Sequence, residues 1–113
     1  MNERDTRILE KIIGYCDRIA ANLQRFGNSY ETFCNDVVFQ DACCMCVLQI
    51  GELAGALSEE FRTANKSVPW RIIKDTRNVY VHAYGTLDLE MVWTTLNEDI
   101  PALKEMCLKI KEN

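Results

Sequence analysis

Apolar residues recur every three or four positions along almost the whole chain, which is the spacing of one face of an α-helix. The first row runs from Ile8 to Phe26 and ends at Gly27, a residue that commonly stops helices. No alternation of apolar and polar residues and no Asn-Gly turn competes with this pattern. The sequence therefore predicts an all-α protein.

Three more long helices and one short helix follow from the same reasoning. A short helix is expected at residues 30–34, and Asp36 is a good amino-terminal cap for a second long helix whose apolar stripe reaches Phe61. Pro69 suits the first turn of a third helix, which Gly85 ends near Tyr84. Asp88 caps a fourth helix, with a kink expected near Pro101. Short connections between amphipathic helices predict an antiparallel bundle of four main helices, with residues 1–113 forming one domain.

The second long helix contains a run of small residues that costs helix propensity. Gly51, Ala54, Gly55 and Ala56 fall within little more than one turn. Such a run predicts that another backbone approaches this part of the helix closely.

Composition sets the class of protein and its expected location. Hydrophobic residues make up 48% of the 113 residues and charged residues 27%, which allows a core without favouring disorder. Nothing at the amino terminus resembles a secretory signal, and we expect no stretch that approaches a membrane span. The expected location is the cytoplasm.

The six cysteines are expected to be reduced thiols, since no secretion signal accompanies them. Cys43 and Cys46 share a helix face while Cys44 points elsewhere, and no second pair completes a tetrahedral site. No metal site is predicted.

Charge is distributed unevenly along the chain, whose net charge is −4. Residues 61–84 hold five basic residues and one acid, a net +4, which leaves −8 on the remainder. A local cationic segment on an acidic body suits phosphate binding with limited non-specific affinity, although ordinary surface charge is the plain alternative.

The third helix concentrates polar residues on one side. On a helical wheel, one stripe contains Arg71, Lys74, Asp75, Asn78 and His82, whereas Ile72, Thr76, Val79 and Ala83 form the face expected to pack inward. Arg77 and Tyr84 flank the polar stripe. The only histidine of the chain is thus predicted to lie on the polar side of this helix.

A histidine and an arginine at this spacing suit one kind of chemistry. The imidazole exchanges a proton near neutral pH, and the guanidinium fork stabilises negative charge on a phosphoryl group. Together they fit RNA cleavage without a metal, in which a base removes the proton of the 2′-hydroxyl group. A surface histidine beside basic residues is the alternative interpretation.

The segment RNVYVHAYG, residues 77–85, resembles the R-x4-6-H-x-Y motif of HepT-like toxins in the HEPN ribonuclease superfamily. Further segments resemble the family in the expected order: IGELAGALSEE, VPWRIIKDTRN and LDLEMVWTTLNEDIPALKEMC. The resemblance covers roughly residues 49–107. Ala83 departs from it, since glycine is common at that position in the family.

The resemblance implies a HEPN-like fold and a role for each motif residue. Arg77 and His82 would be catalytic and Asn78 would support them, without a metal or cofactor. Two chains would pair so that their motif helices line a shared cleft. From the charge distribution, Arg71 and Lys74 are expected to bind RNA phosphates there. Tyr84 would accept adenylyl groups from a minimal nucleotidyltransferase antitoxin, as in a type VII-like toxin–antitoxin system.

Two other functions stay open at this point. The chain could be a non-catalytic helical partner or regulatory subunit of a nucleotidyltransferase, or a nucleotide-binding domain, although it lacks a glycine-rich phosphate loop. Glu52 could form an ion pair with Arg77 or Arg71, or remain a solvated carboxylate.

Overall fold

A computed structural model describes the backbone of residues 1–82 and 88–113, and the side chains of residues 1–76 and 88–113. The described residues contain no strand, which confirms the all-α prediction. The helices are α1 (Glu3–Phe26), α2 (Tyr30–Asn35), α3 (Val37–Ala56), α4 (Glu59–Ala64), α5 (Trp70–His82), α6 (Leu89–Thr94) and α7 (Ile100–Glu112), with a π-helical turn at Thr95–Asp99 between the last two.

The helix ends follow the local capping chemistry that the sequence predicted. Gly27 adopts a φ of 96°, a left-handed conformation that closes α1. The Asp36 carboxylate accepts hydrogen bonds from the backbone of Val38 and Phe39 at the start of α3. Asp88 accepts one from the Met91 backbone at the start of α6. These three predicted boundaries are confirmed.

The second long helix of the prediction is divided in two by the structure. It was expected to continue to Phe61, but α3 ends at Ala56 and α4 starts at Glu59. The buried Asp5 carboxylate in α1 accepts hydrogen bonds from the Ser58 backbone at 2.9 Å and the Ser58 hydroxyl at 2.6 Å. Ser58 in turn caps α4 through Phe61 N–H. A contact with a distant helix therefore breaks a stripe that looks continuous in sequence.

The fourth helix contains the irregularity expected at Pro101, in the form of a π turn. The backbone N–H of Ile100 bonds to the carbonyl of Thr95, five residues earlier, and Pro101 then lies in the first turn of α7. Proline has no N–H, so it cannot continue the α-helical pattern. The wider turn absorbs this loss while the helix continues.

The core is formed mainly by α1, α3 and the carboxyl-terminal helical segment. In the described part of the chain, α3 packs against α1 on one side and α5 on the other, and α1 also packs against α7. An aromatic cluster closes one end, with Phe39 stacked on Phe26 at 4.7 Å and Trp93 against Phe33 at 5.2 Å. The helix α5 is thus held mainly by α3.

The expectation that no stretch of the chain approaches a membrane span is wrong for α3. An 18-residue stretch within Val37–Ala56 has a mean hydropathy of 1.5, so this helix is, by length and composition alone, apolar enough to cross a membrane. The helix also supplies seven buried residues to the bundle, so its inner face belongs to the core. Its outer face is partly apolar as well, with Val37, Val38 and Met45 exposed.

Candidate functional site

The helix α5 carries most of the predicted site residues. The backbone of Arg77, Asn78 and His82 forms part of this helix, while their side chains are outside the described part of the structure. Tyr84 and Ala83 fall among residues 83–87, which are not described. Arg71, Lys74 and Asp75 are described and all three are exposed, as predicted for the polar stripe.

The helix α5 runs antiparallel to α3 along the run of small residues. Trp70 starts α5 beside Phe61, with ring centroids 5.8 Å apart, and its indole N–H donates to the Asn65 carbonyl at 3.1 Å. Lys74 then lies against Gly55, near the end of α3. Later positions of α5 therefore lie beside earlier turns of α3, including the turn of Val47.

At the carboxyl end of the run of small residues, Gly55 and Ala56 are approached by side chains. A Cβ atom at Gly55 would lie 3.4 Å from Lys74 Cδ, so the lysine stem occupies the space that the missing side chain leaves. Arg4 Nη1 donates to the Ala56 carbonyl at 2.7 Å. At Gly55, the space left by the missing side chain is therefore filled by the stem of Lys74.

Lys74 borders a shallow recess of about 210 Å³ formed with Gly51, Glu52, Gly55 and Ala56. Glu52 is exposed there and has a partner of its own. Because the lysine stem lies on Gly55 while the side chain as a whole is exposed, its ammonium group is available to an anion at this edge of α5.

Ile72 was expected to pack inward, and that prediction is wrong. Its side chain is 69% exposed, whereas Trp70 is buried and Ile73 is half-buried against the core. Because α5 packs mainly against α3, its inner face is turned toward Ile73, and Ile72 projects on the side that faces α7. A groove of about 260 Å³ lies there, with Val47, Ile50, Ile100 and Leu103 among its apolar lining.

Four of the six cysteines are buried, and Cys34 and Cys44 are half-buried. Burial raises the pKa of Cys16, Cys43 and Cys107 to about 12, and that of Cys44 to about 11. All six are free, and Cys43 and Cys46 share the buried face as predicted. Among the described residues, no group of three or more His, Cys, Asp or Glu side chains is placed to hold a metal ion.

A second cluster of cations was missed by the sequence reasoning, which considered charge only within residues 61–84. Arg4, Lys11, Arg18 and Arg25 recur every seven residues along α1. The matching acidic row points to α7, since Asp17 pairs with Lys104 at 2.6 Å and Glu10 with Lys111 at 4.0 Å. The seven-residue spacing was the available signal, because it keeps residues along one edge of a helix.

Comparisons with known proteins find a matching family and several relatives that cover most of the chain. The family described as "Ribonuclease HepT-like" matches residues 8–110. "Putative RNase TTE0752" of Caldanaerobacter subterraneus subsp. tengcongensis is 30% identical over 102 residues, which cover 90% of this chain and 89% of that protein. "Probable ribonuclease HepT" of Thermococcus cleftensis is 30% identical over 91 residues, covering 73% of this chain and 83% of that protein.

No solved structure matches the chain significantly. The family match nevertheless extends from α1 to α7, and it includes the helix on which Arg77, Asn78 and His82 lie. On this evidence the chain belongs to the HepT-like ribonuclease family of the HEPN superfamily.

Proposed function

We propose that this protein is a metal-independent endoribonuclease and the toxin of a toxin–antitoxin pair. The observation that carries the proposal is the R-N-x3-H-x-Y motif, beginning at Arg77 on α5, within a chain matched by the family from residue 8 to residue 110. His82 acts as general base or acid on the ribose 2′-hydroxyl and the leaving oxygen. Arg77 stabilises the charge that develops on the phosphoryl oxygens, and Asn78 supports this pair.

The chemistry specifies the products. Attack of the 2′-oxygen on phosphorus forms a new P–O bond and breaks the bond to the 5′-oxygen, which takes up a proton. The products are a 2′,3′-cyclic phosphate and a 5′-hydroxyl end. Arg71 and Lys74, both exposed on α5, would hold neighbouring phosphates.

The active unit in this proposal is a homodimer. The outer face of α3 exposes Val37, Val38 and Met45, which are 65%, 66% and 40% accessible. Covering such a patch with a second copy would bring two motif helices to one cleft and combine two cationic segments on an otherwise acidic body.

Regulation in this proposal acts through Tyr84. A nucleotidyltransferase antitoxin transfers adenylyl groups from ATP to its phenol oxygen and releases pyrophosphate. The added bulk and negative charge would then occupy the phosphate cleft and block RNA in the cytoplasm.

The test is cleavage of total RNA by the purified protein in EDTA. We expect cleavage that persists in chelator, leaves cyclic phosphate ends, and falls by about 100-fold or more in His82→Ala, which removes the proton-transfer group. Lys109→Ala, an exposed lysine paired with Glu105 on α7, is the matched control and should cleave like the parent.

Three results would contradict parts of this proposal. Cleavage abolished by EDTA argues against the metal-free mechanism, and full activity of His82→Ala argues against its assigned role. Harmless expression together with stable binding to a nucleotidyltransferase favours the non-catalytic partner.

Mass spectrometry after co-expression with the antitoxin should find adenylyl groups on the parent and none on Tyr84→Phe.

A further inference from the structure

A second recess lies on the other flank of α3, away from Lys74. It has a volume of about 370 Å³ and an open, concave shape. The helix α1 contributes one side and α3 the other; the lining residues are Lys11, Gly14, Tyr15, Arg18, Gln49 and Leu53. The two recesses are thus separated by the width of α3, about 10 Å.

Gly14 lines this recess, and no contact within the chain requires a glycine at this position. It is an exposed residue in the middle of α1, where glycine is a poorer helix former than alanine. A Cβ atom at this position would meet nothing within 4 Å, so no intramolecular contact requires its absence. The missing side chain leaves room for a group from outside the chain.

Two cations border the space above Gly14. Lys11 and Arg18 precede and follow it by three and four residues, which places both on the same face of α1. In the described part of the structure, neither has a carboxylate within ion-pair distance; Arg18 lies over the Tyr15 ring at 5.0 Å. Nearby Asp17 is already paired with Lys104 on α7.

Charge and shape together indicate an anionic ligand that approaches the backbone closely. The row continues to Arg4 and Arg25, so positive charge extends along about 30 Å of α1. A row of this length suits a polyanion better than a single phosphate. The Gln49 amide can also donate a hydrogen bond to a phosphate oxygen or a sugar hydroxyl.

We propose that the recess around Gly14 binds the sugar–phosphate backbone of the RNA substrate, at a distance from the bond that is cut. The proposal rests on the RNA cleavage proposed above. Lys11 and Arg18 neutralise phosphates, and Gly14 allows the strand to lie against the helix. The recess strengthens substrate binding without touching the reacting atoms, so its residues position RNA and are not catalytic.

The experiment measures RNA affinity separately from cleavage. Full-length His82→Ala protein is titrated against a fluorescent single-stranded RNA over a range of salt concentrations, alone and combined with Lys11→Ala, Arg18→Ala or Gly14→Ala. We expect each lysine or arginine variant to bind RNA several-fold more weakly, with a salt slope that is smaller by about 0.7 for each phosphate that the protein no longer neutralises. Lys109→Ala should leave both quantities unchanged.

Gly14→Ala should change protein stability and RNA affinity in opposite directions. Alanine should raise the melting temperature, because it favours the helix, and yet weaken RNA binding, because its methyl group occupies the space for the strand. A purely structural role for position 14 would change stability without changing affinity.

The proposal is overturned if Lys11→Ala, Arg18→Ala and Gly14→Ala bind RNA like the parent with the same salt slope. It is also overturned if these variants change the sedimentation of the free protein while RNA affinity stays constant, because the recess would then be a protein contact. RNA cleavage by the parent protein separates this inference from the proposed ribonuclease activity. If the parent cleaves RNA but the Lys11, Arg18 and Gly14 variants bind RNA normally, only the inference about the recess is wrong. If the protein neither binds nor cleaves RNA, the proposed function is wrong as well.

Discussion

Asp5 shows how one residue can set the path of the chain. Its side chain is only 2% exposed, and both of its oxygens accept hydrogen bonds from Ser58. Burial by itself would raise the pKa of Asp5, but the Ser58 hydroxyl and N–H together with the charge of Arg4 outweigh it, and the pKa is lowered. The charged form of the Asp5 carboxylate therefore stabilises the folded state.

Asp5→Asn should destabilise the protein at pH 7 by about 1–3 kcal/mol, because the amide has a single oxygen and its NH2 group cannot accept the second hydrogen bond from Ser58. A lowered folded pKa means that the stabilisation is present above the unfolded pKa of about 3.9 and is lost as pH falls through the folded value. Urea unfolding at pH 7 and pH 3 should show the difference from the parent shrinking in acid. Asp41→Asn, at an exposed position, is the control; a deficit that persists at pH 3 would contradict the carboxylate role.

Among the helices, α5 is the element whose orientation matters most for the site. Sequence periodicity placed its inner face at Ile72, but the contact with α3 turns that face toward Trp70 and Ile73. A helical wheel assumes neighbours on the most apolar side, whereas α5 has a close neighbour on one side and a groove on the other.

A matched pair of substitutions tests this orientation. Ile73→Ala should cost roughly 1–2 kcal/mol of unfolding free energy because the side chain packs against the core, while Ile72→Ala should stay within about 0.5 kcal/mol. Urea denaturation of both variants measures the difference. Equal losses, or a larger loss at Ile72, would show that α5 is rotated from the orientation described.

For the molecule as a whole, the proposed dimer depends on the outer face of α3. Val38→Asp places a charge in this apolar patch, and it lies in the first turn of α3, where a carboxylate favours the helix. We therefore expect dissociation of the dimer and loss of RNA cleavage without unfolding.

Analytical ultracentrifugation, with circular dichroism as the check on folding, measures the outcome. Leu108→Asp, which changes an exposed apolar residue on α7, should leave the assembly intact. A Val38→Asp protein that sediments like the parent would exclude this face as the interface.

Much of the fold follows from local chemistry that the sequence states directly. Helical spacing identified the long helices, while Gly27, Asp36 and Asp88 marked their ends, because capping involves only a few neighbouring residues. The motif around Arg77 and His82 was likewise readable, since one helix holds both residues. The contacts of their side chains were predicted and stay a prediction.

Other features depend on residues that are far apart in sequence. Asp5 breaks a helix at Ser58, 53 positions later, and the recess around Gly14 needs Gln49 from a second helix. Neither feature has a local signature, because each arises only when packing of the apolar faces brings α1 against α3. The sequence by itself determined the helices and the position of the motif, and the tertiary structure decided which faces meet and which remain open to a partner.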